Sequence, residues 1–120
     1  MSTYFTDAEF KCKCGRLACD AITAPSPALL LKLDVLRELL NRPVIVNSGI
    51  RCRYWNQHEG GTGSQHIDAE AADLRVDGSR ARFQMVEAAY KAGFRRIGIA
   101  KTFVHVDVGT DADQEVLWLY

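Results

Sequence analysis

The chain has 120 residues, 48% hydrophobic and 25% charged, which suits one ordinary globular domain with a core of its own. Its fifteen basic and fifteen acidic side chains cancel, so no basic surface marks it for a nucleic acid or an anionic membrane, and a small or neutral partner is expected. No apolar run approaches the ~20 residues of a membrane span, and residues 1 to 13 lack the basic and apolar regions of a secretory leader. The expectations are a cytoplasmic product as synthesised, acting as a monomer, with thiols rather than disulfides at Cys12, Cys14, Cys19 and Cys52.

In chain order, residues 4 to 22 read as an irregular or short-helical arm, within a cysteine-containing N-terminal region 1–24, anchored by Phe5 and Phe10. In Pro25-Ser26-Pro27 the serine can cap a helix and Pro27 suits its first turn; Leu29, Leu33, Leu36 and Leu40 follow at helical spacing, predicting a helix over 27 to 41. Pro43 stops it, and Val44-Ile45-Val46 reads as a buried strand leaving through Asn47-Ser48-Gly49. Between Arg51 and Ile67 periodicity vanishes and Gly60, Gly61 and Gly63 accumulate, which reads as a long loop, either functional or disordered. Ala72-Asp73-Leu74-Arg75-Val76 alternates as a strand, and Asp77-Gly78 turns it. Ser79 is expected to cap a second helix with Phe83, Val86 and Tyr90 on one face, ended by Gly93. Two short runs of β-type residues, 94 to 100 and 101 to 108, suggest a hairpin, and residues 115 to 120 an edge strand. This order predicts one α+β domain over 1–120, a small antiparallel sheet with two main helices, rather than a doubly wound fold.

The chemistry gathers in two stretches. Phe103-Val-His-Val-Asp-Val-Gly109 alternates strictly, so Phe103, His105 and Asp107 share one face of a strand and Val104, Val106 and Val108 the core face. Polar residues so placed need partners. Gly63-Ser-Gln-His-Ile-Asp-Ala-Glu-Ala-Ala-Asp73 adds His66 and Asp73 at a spacing of seven. Taken singly, each histidine is more simply a hydrogen-bonded structural residue. Together His66, Asp73 and His105 supply three N/O donors, the number a catalytic zinc takes while leaving one position for water.

Ser64-Gln-His66-Ile-Asp-Ala-Glu-Ala71-Ala-Asp73 resembles Ser-x-His-x-x-Gly-x-Ala-x-Asp, the first zinc motif of the D-Ala-D-Ala metallopeptidases, the peptidase M15 family. The likeness extends to Asn47-Ser-Gly-Ile-Arg51, Asn56, Gly60-Gly61, Ile97-Gly98 and Phe103 to Gly109. It implies a fold like that of hedgehog domains and D-Ala-D-Ala peptidases, one zinc ion on His66, Asp73 and His105, and a peptidoglycan peptide as substrate. By the same likeness Arg51 steadies the substrate carbonyl or its oxyanion, and Ser64 supplies a hydroxyl beside the first ligand. The short phage and prophage domains of this family imply a route to the wall through a lysis pore. Two positions depart from the pattern. Ala69 stands where the family usually has glycine, and Thr102 and Phe103 stand where relatives carry a catalytic Glu or His. Asp107 is the replacement candidate for general base, with orientation of His105 as its alternative role; Asp68 and Glu70 rank below it. A non-catalytic zinc-binding module of the same fold, binding the wall or serving as structure, is the rival reading.

His58 reads as an exposed loop residue. Tyr54 and Trp55 could line a cleft or cap the core edge, and Trp118 and Tyr120 read as packing. Cys12-x-Cys14-x4-Cys19 with distant Cys52 could form a four-thiolate zinc site, although C-x-C is not the usual C-x2-C spacing; free thiols or disulfides are the alternatives.

Overall fold

The computed structural model describes residues 2–61 and 63–120 as an α+β domain. In the arm, Thr6 caps a 3-10 turn, Asp7–Phe10, through a reciprocal pair with Glu9. Phe10 is fully buried and meets Phe5 edge to face at 5.9 Å. A backbone bond from Ile50 N–H to the Phe10 carbonyl (2.8 Å) docks this turn on the segment before Arg51. Gly49 permits the approach, since a Cβ there would lie 2.8 Å from the Phe10 Cα.

Helix α1, Pro27–Leu40, begins as its sequence predicts: the Ser26 hydroxyl accepts from Leu29 N–H at 3.4 Å, and Leu29, Leu33 and Leu36 are buried. Asn41, in the left-handed region at φ 55°, ends it one residue before the predicted limit. Strand β1 is Val46–Ser48, two residues later than the Val44-Ile45-Val46 run. The apolar run does alternate, with Val44 and Val46 inward and Ile45 exposed. Regular pairing starts only at Val46, and an irregularity before Ser48 disturbs it. The expected loop contains a helix, α2, Arg53–His58, capped by the Cys52 sulfur and burying Asn56. A six-residue helix that buries a polar side chain leaves no apolar period to read.

Strand β2 is Ala71–Arg75 and helix α3 is Ser79–Lys91, with Gly78 rather than Ser79 at the cap position and no side-chain cap. The face expected from Phe83, Val86 and Tyr90 is not the buried one: Phe83 and Tyr90 are 69% and 66% exposed, while Met85, Ala88 and Ala89 are buried. The small residues let α3 lie close to α1 and to the sheet, where large rings would hold it off. Strands β3, Arg96–Ile99, and β4, Phe103–Asp107, form the predicted hairpin. Strand β5, Val116–Leu119, joins the far edge parallel to β3, giving the order β1-β2-β4-β3-β5. Val104 and Val106 are fully buried with Leu74, Ile97, Phe94 and the α1 leucines, so the valine face of β4 is core as its alternation requires.

Replacing Phe10 by alanine is expected to lower unfolding stability by about 3 to 5 kcal/mol, the cost of an aromatic cavity. Urea denaturation checks this; a loss under about 1 kcal/mol would mean that the arm is not part of the cooperative core.

Candidate active site

The site is one row of the sheet. The registers set Ser48 beside Asp73, Asp73 beside His105, His105 beside Gly98 and Gly98 beside Trp118. Because side chains alternate, this row faces away from the valines. His66 reaches it from the loop ahead of β2, which is folded on itself by bonds from Asp68 N–H to the Ser64 carbonyl and from Glu70 N–H to the Gln65 carbonyl. Ser64 thus enters through its backbone. Ser26 N–H donates to the Ala69 carbonyl and Arg51 N–H to that of His66, tying the loop to α1 and to the Arg51 segment. Ala69 is buried and sits in the left-handed region at φ 62°, the conformation that explains a glycine preference there and costs an alanine about 1 to 2 kcal/mol.

His66 Nε2 lies 3.4 Å from Asp73 Oδ1, and His105 Nδ1 lies 3.0 Å from the same oxygen. An ion with N/O ligands at ~2.0 to 2.1 Å in a tetrahedron needs donors about 3.3 Å apart. The three side chains therefore fit such an ion. The remaining ring nitrogens are fixed from behind: His66 Nδ1–H donates to the Gly49 carbonyl at 2.6 Å and His105 Nε2–H to Asp107 Oδ2 at 2.6 Å. Each bond keeps a proton on the far nitrogen, so the nitrogen facing Asp73 is the one that either donates to Oδ1 or, once deprotonated, would take a metal ion. Burial alone would push the Asp73 carboxyl up, but hydrogen bonds from His105 and His66 hold it well below the usual carboxylate range. Burial would lower His105; its bonds to Asp107 and Asp73 outweigh that and raise it above the ordinary imidazole value.

Arg51, assigned a catalytic role by resemblance, and Asp107, the replacement candidate for the base, are both engaged with the three candidate donors. Arg51 donates from Nη2 to Asp73 Oδ2 at 3.0 Å, from Nε to the Ser48 hydroxyl at 2.9 Å and from Nη1 to Asn56 Oδ1 at 3.3 Å. It also lines the cleft, with N–H groups to spare. Asp107 is 1% exposed. Its Oδ2 accepts from His105, and its Oδ1 accepts from Arg96 Nε at 2.7 Å and Gly109 N–H at 3.1 Å. It lies behind the imidazole and is not among the described residues that line the cleft. Asp68 is exposed, and neither it nor Glu70 lines the cleft. Burial and the neighbouring Asp68 charge raise the Glu70 carboxyl. His58 is exposed, as read from sequence, but sits on α2 rather than in a loop, stacked on Trp55 at 4.7 Å and outside the three-donor group.

Above the ligands an open cleft of about 390 Å³ runs between Glu59, Gly60, Gly61 and Gly63 on one side and Phe103, Trp118 and Tyr120 on the other. Trp118 and Tyr120, read from sequence as packing, are walls of this cleft, whereas Tyr54 and Trp55 are not. The Trp118 ring lies 5.2 Å from that of His105 and beneath the Arg96 guanidinium at 5.3 Å. Gly98 makes room, because a Cβ there would meet the indole at 2.6 Å and Tyr120 at 2.8 Å. Nothing local to residues 115 to 120 signals this role, since it arises from parallel pairing with β3.

A three-donor site on a sheet row, with a histidine-bearing loop and an arginine clamp, is what the motifs imply, and the family model described as peptidase M15 matches residues 3–107. The chain belongs to the peptidase M15 family. No curated protein matches the chain. The matched span of this M15 domain contains the arm, Arg51 and all three donors and stops at Asp107, so the aromatic wall on β5 lies beyond it.

Two outcomes follow for this M15 domain. Asp107→Asn is expected to weaken zinc binding 10- to 100-fold, as loss of a carboxylate behind a ligating imidazole does, read by competition titration with a chromophoric chelator. Gly98→Ala is expected to displace Trp118 and shift the tryptophan emission; an unchanged spectrum would contradict the close packing at that position.

Proposed function

We propose that this M15 domain is a zinc-dependent peptidase that cuts an amide bond in peptidoglycan stem or cross-link peptides. The observation that carries the reading is the convergence of His66 Nε2, Asp73 Oδ1 and His105 Nδ1 on one point at the floor of an open cleft. Zinc held there supplies a Lewis acid that polarises the scissile carbonyl and brings the pKa of its water to about 7.

The chain's own groups do the rest. Asp107 acts on His105, holding its ring and tautomer, because each of its oxygens already has a donor. It is therefore a positioning residue rather than the general base. Arg51 keeps Asp73 ionised and aimed, and its remaining N–H groups face the oxyanion that develops as the carbonyl is attacked. Apart from Asp73, Glu59 is the carboxylate among the described residues of the cleft wall. We assign it the transfer of the proton from the attacking water to the leaving amine. Trp118 and Tyr120 give the cleft an apolar wall for the small side chains of a stem peptide. The family's cell-wall members support this substrate class, with a phage-type endolysin released through a lysis pore as one setting and D-Ala-D-Ala carboxypeptidase or endopeptidase action as the alternatives.

Digestion of purified cell wall by the zinc-loaded protein, with products identified by mass, tests the reading. New peptide termini are expected. They should vanish in His66→Ala together with the cleft zinc, and fall 10²- to 10⁴-fold in turnover in Glu59→Gln with that zinc retained. A folded, zinc-loaded protein that cuts nothing would favour a zinc-holding, wall-binding module, the reading that Thr102 and Phe103 ahead of His105 support.

A further inference from the structure

The four cysteines lie outside the cleft, and the fold brings them to one place. Cys12, Cys14 and Cys19 come from the arm and Cys52 from the cap of α2, yet their sulfurs all lie within 4.8 Å of one another. We propose that they form a second metal site, a structural zinc centre of four thiolates that pins the arm to the segment carrying Arg51.

Three observations support it. First, the chemistry of the donors suits zinc: all four cysteines are free, and a tetrahedral ion bound by sulfur at ~2.3 Å needs sulfurs about 3.8 Å apart, inside the observed limit. Second, the sulfurs are provided for as thiolates are. Cys12 Sγ accepts from Cys52 N–H at 3.3 Å, Cys14 Sγ from Arg16 N–H at 3.4 Å and Cys52 Sγ from Trp55 N–H at 3.4 Å. Thiols are weak acceptors, whereas charged thiolates held by a metal gain from such donors. Gly15, in the left-handed region at φ 69° with open space around it, makes the tight turn that returns the Arg16 N–H to Cys14.

Third, beyond Phe10 little else holds the arm to its path: a Lys13 ammonium bond to the Asn47 carbonyl and the Arg16 guanidinium over Tyr54 at 4.1 Å. Residues 11–20 contain no helix, no strand and no buried side chain, and Leu17 is fully exposed. Burial cannot offset the conformational entropy of ordering such a segment. A metal that binds only the assembled ligands can, because its binding free energy then becomes folding free energy. The C-x-C spacing is a weak signal because the fourth ligand is 33 residues beyond Cys19 and arrives only by tertiary packing. Since Cys52 follows Arg51 and caps the helix that leads to Glu59, the centre braces both cleft residues.

This inference does not depend on the peptidase reading. The full chain, purified under reducing conditions with zinc, is analysed for metal by mass spectrometry and then reconstituted with cobalt. Two zinc ions per chain are expected, falling to one in His66→Ala. The cobalt form of the unaltered protein should display intense thiolate-to-cobalt charge-transfer bands in the near ultraviolet, which the His66, Asp73 and His105 donors cannot produce. The doubly substituted Cys14→Ser, Cys19→Ser chain should lose those bands and one metal. One zinc in the unaltered protein with none in His66→Ala, or a cobalt spectrum without thiolate bands, would overturn the proposal. So would two disulfides found in the protein purified without reductant from zinc-supplemented cells. Because the cobalt spectrum of the unaltered chain decides the matter, failure of a cysteine variant to fold would not blur it.

Discussion

The pairing of β2 with β4 in a single register sets everything else. With Asp73 opposite His105, Leu74 falls opposite Val104 and Ala72 opposite Val106. One face of the ribbon is then wholly apolar and the other carries the candidate donors Asp73 and His105. A slip of β4 by one residue against β2 would turn His105 into the α1–α3 core and put valines beside Asp73. Core burial and ligand geometry are thus enforced by the same hydrogen bonds, and the hydrophobic term that stabilises the domain also fixes the site.

That arrangement obliges the protein to bury charge. Asp73, His105 and Asp107 are all buried, and Arg51 and Arg96 lie over them with side chains 11% and 13% exposed. Isolated, such groups would cost several kcal/mol each. Here they form a continuous chain from Ser48 and Asn56 through Arg51, Asp73, His105 and Asp107 to Arg96, and no buried side-chain polar atom among the described residues lacks a partner. The network places the carboxylate behind His105 under heavy hydrogen bonding and leaves the cleft itself with a different acid, Glu59. Asp107 is thus held behind the imidazole while Glu59 stands at the cleft wall.

Both ends of the chain close on the site. The start arrives through Phe10 beneath Gly49 and through the cysteines around Cys52. The end arrives through β5, whose Trp118 and Tyr120 stand over Gly98. The middle supplies the three candidate donors, and the ends pack beside them on one side and form an apolar wall on the other.

Much of this was legible in the residues themselves. Periodicity gave α1, the hairpin and the core face of β4, and the alternation of Phe103 to Val108 placed His105 and Asp107 on a common side. The spacing of His66 and Asp73, with the family resemblance, named the donors. These are local properties, repeated along a few residues, and a chain states them directly. What lay beyond the sequence depended on which element met which. The small residues of α3 face inward instead of Phe83 and Tyr90, because contact distance to α1 decides the face. Asp107 lies behind His105, Trp118 forms a cleft wall, and Cys52 completes a set of four thiols begun 40 residues earlier. Each is a meeting of segments far apart in the chain, and only the tertiary fold, through strand order and packing distance, could decide it.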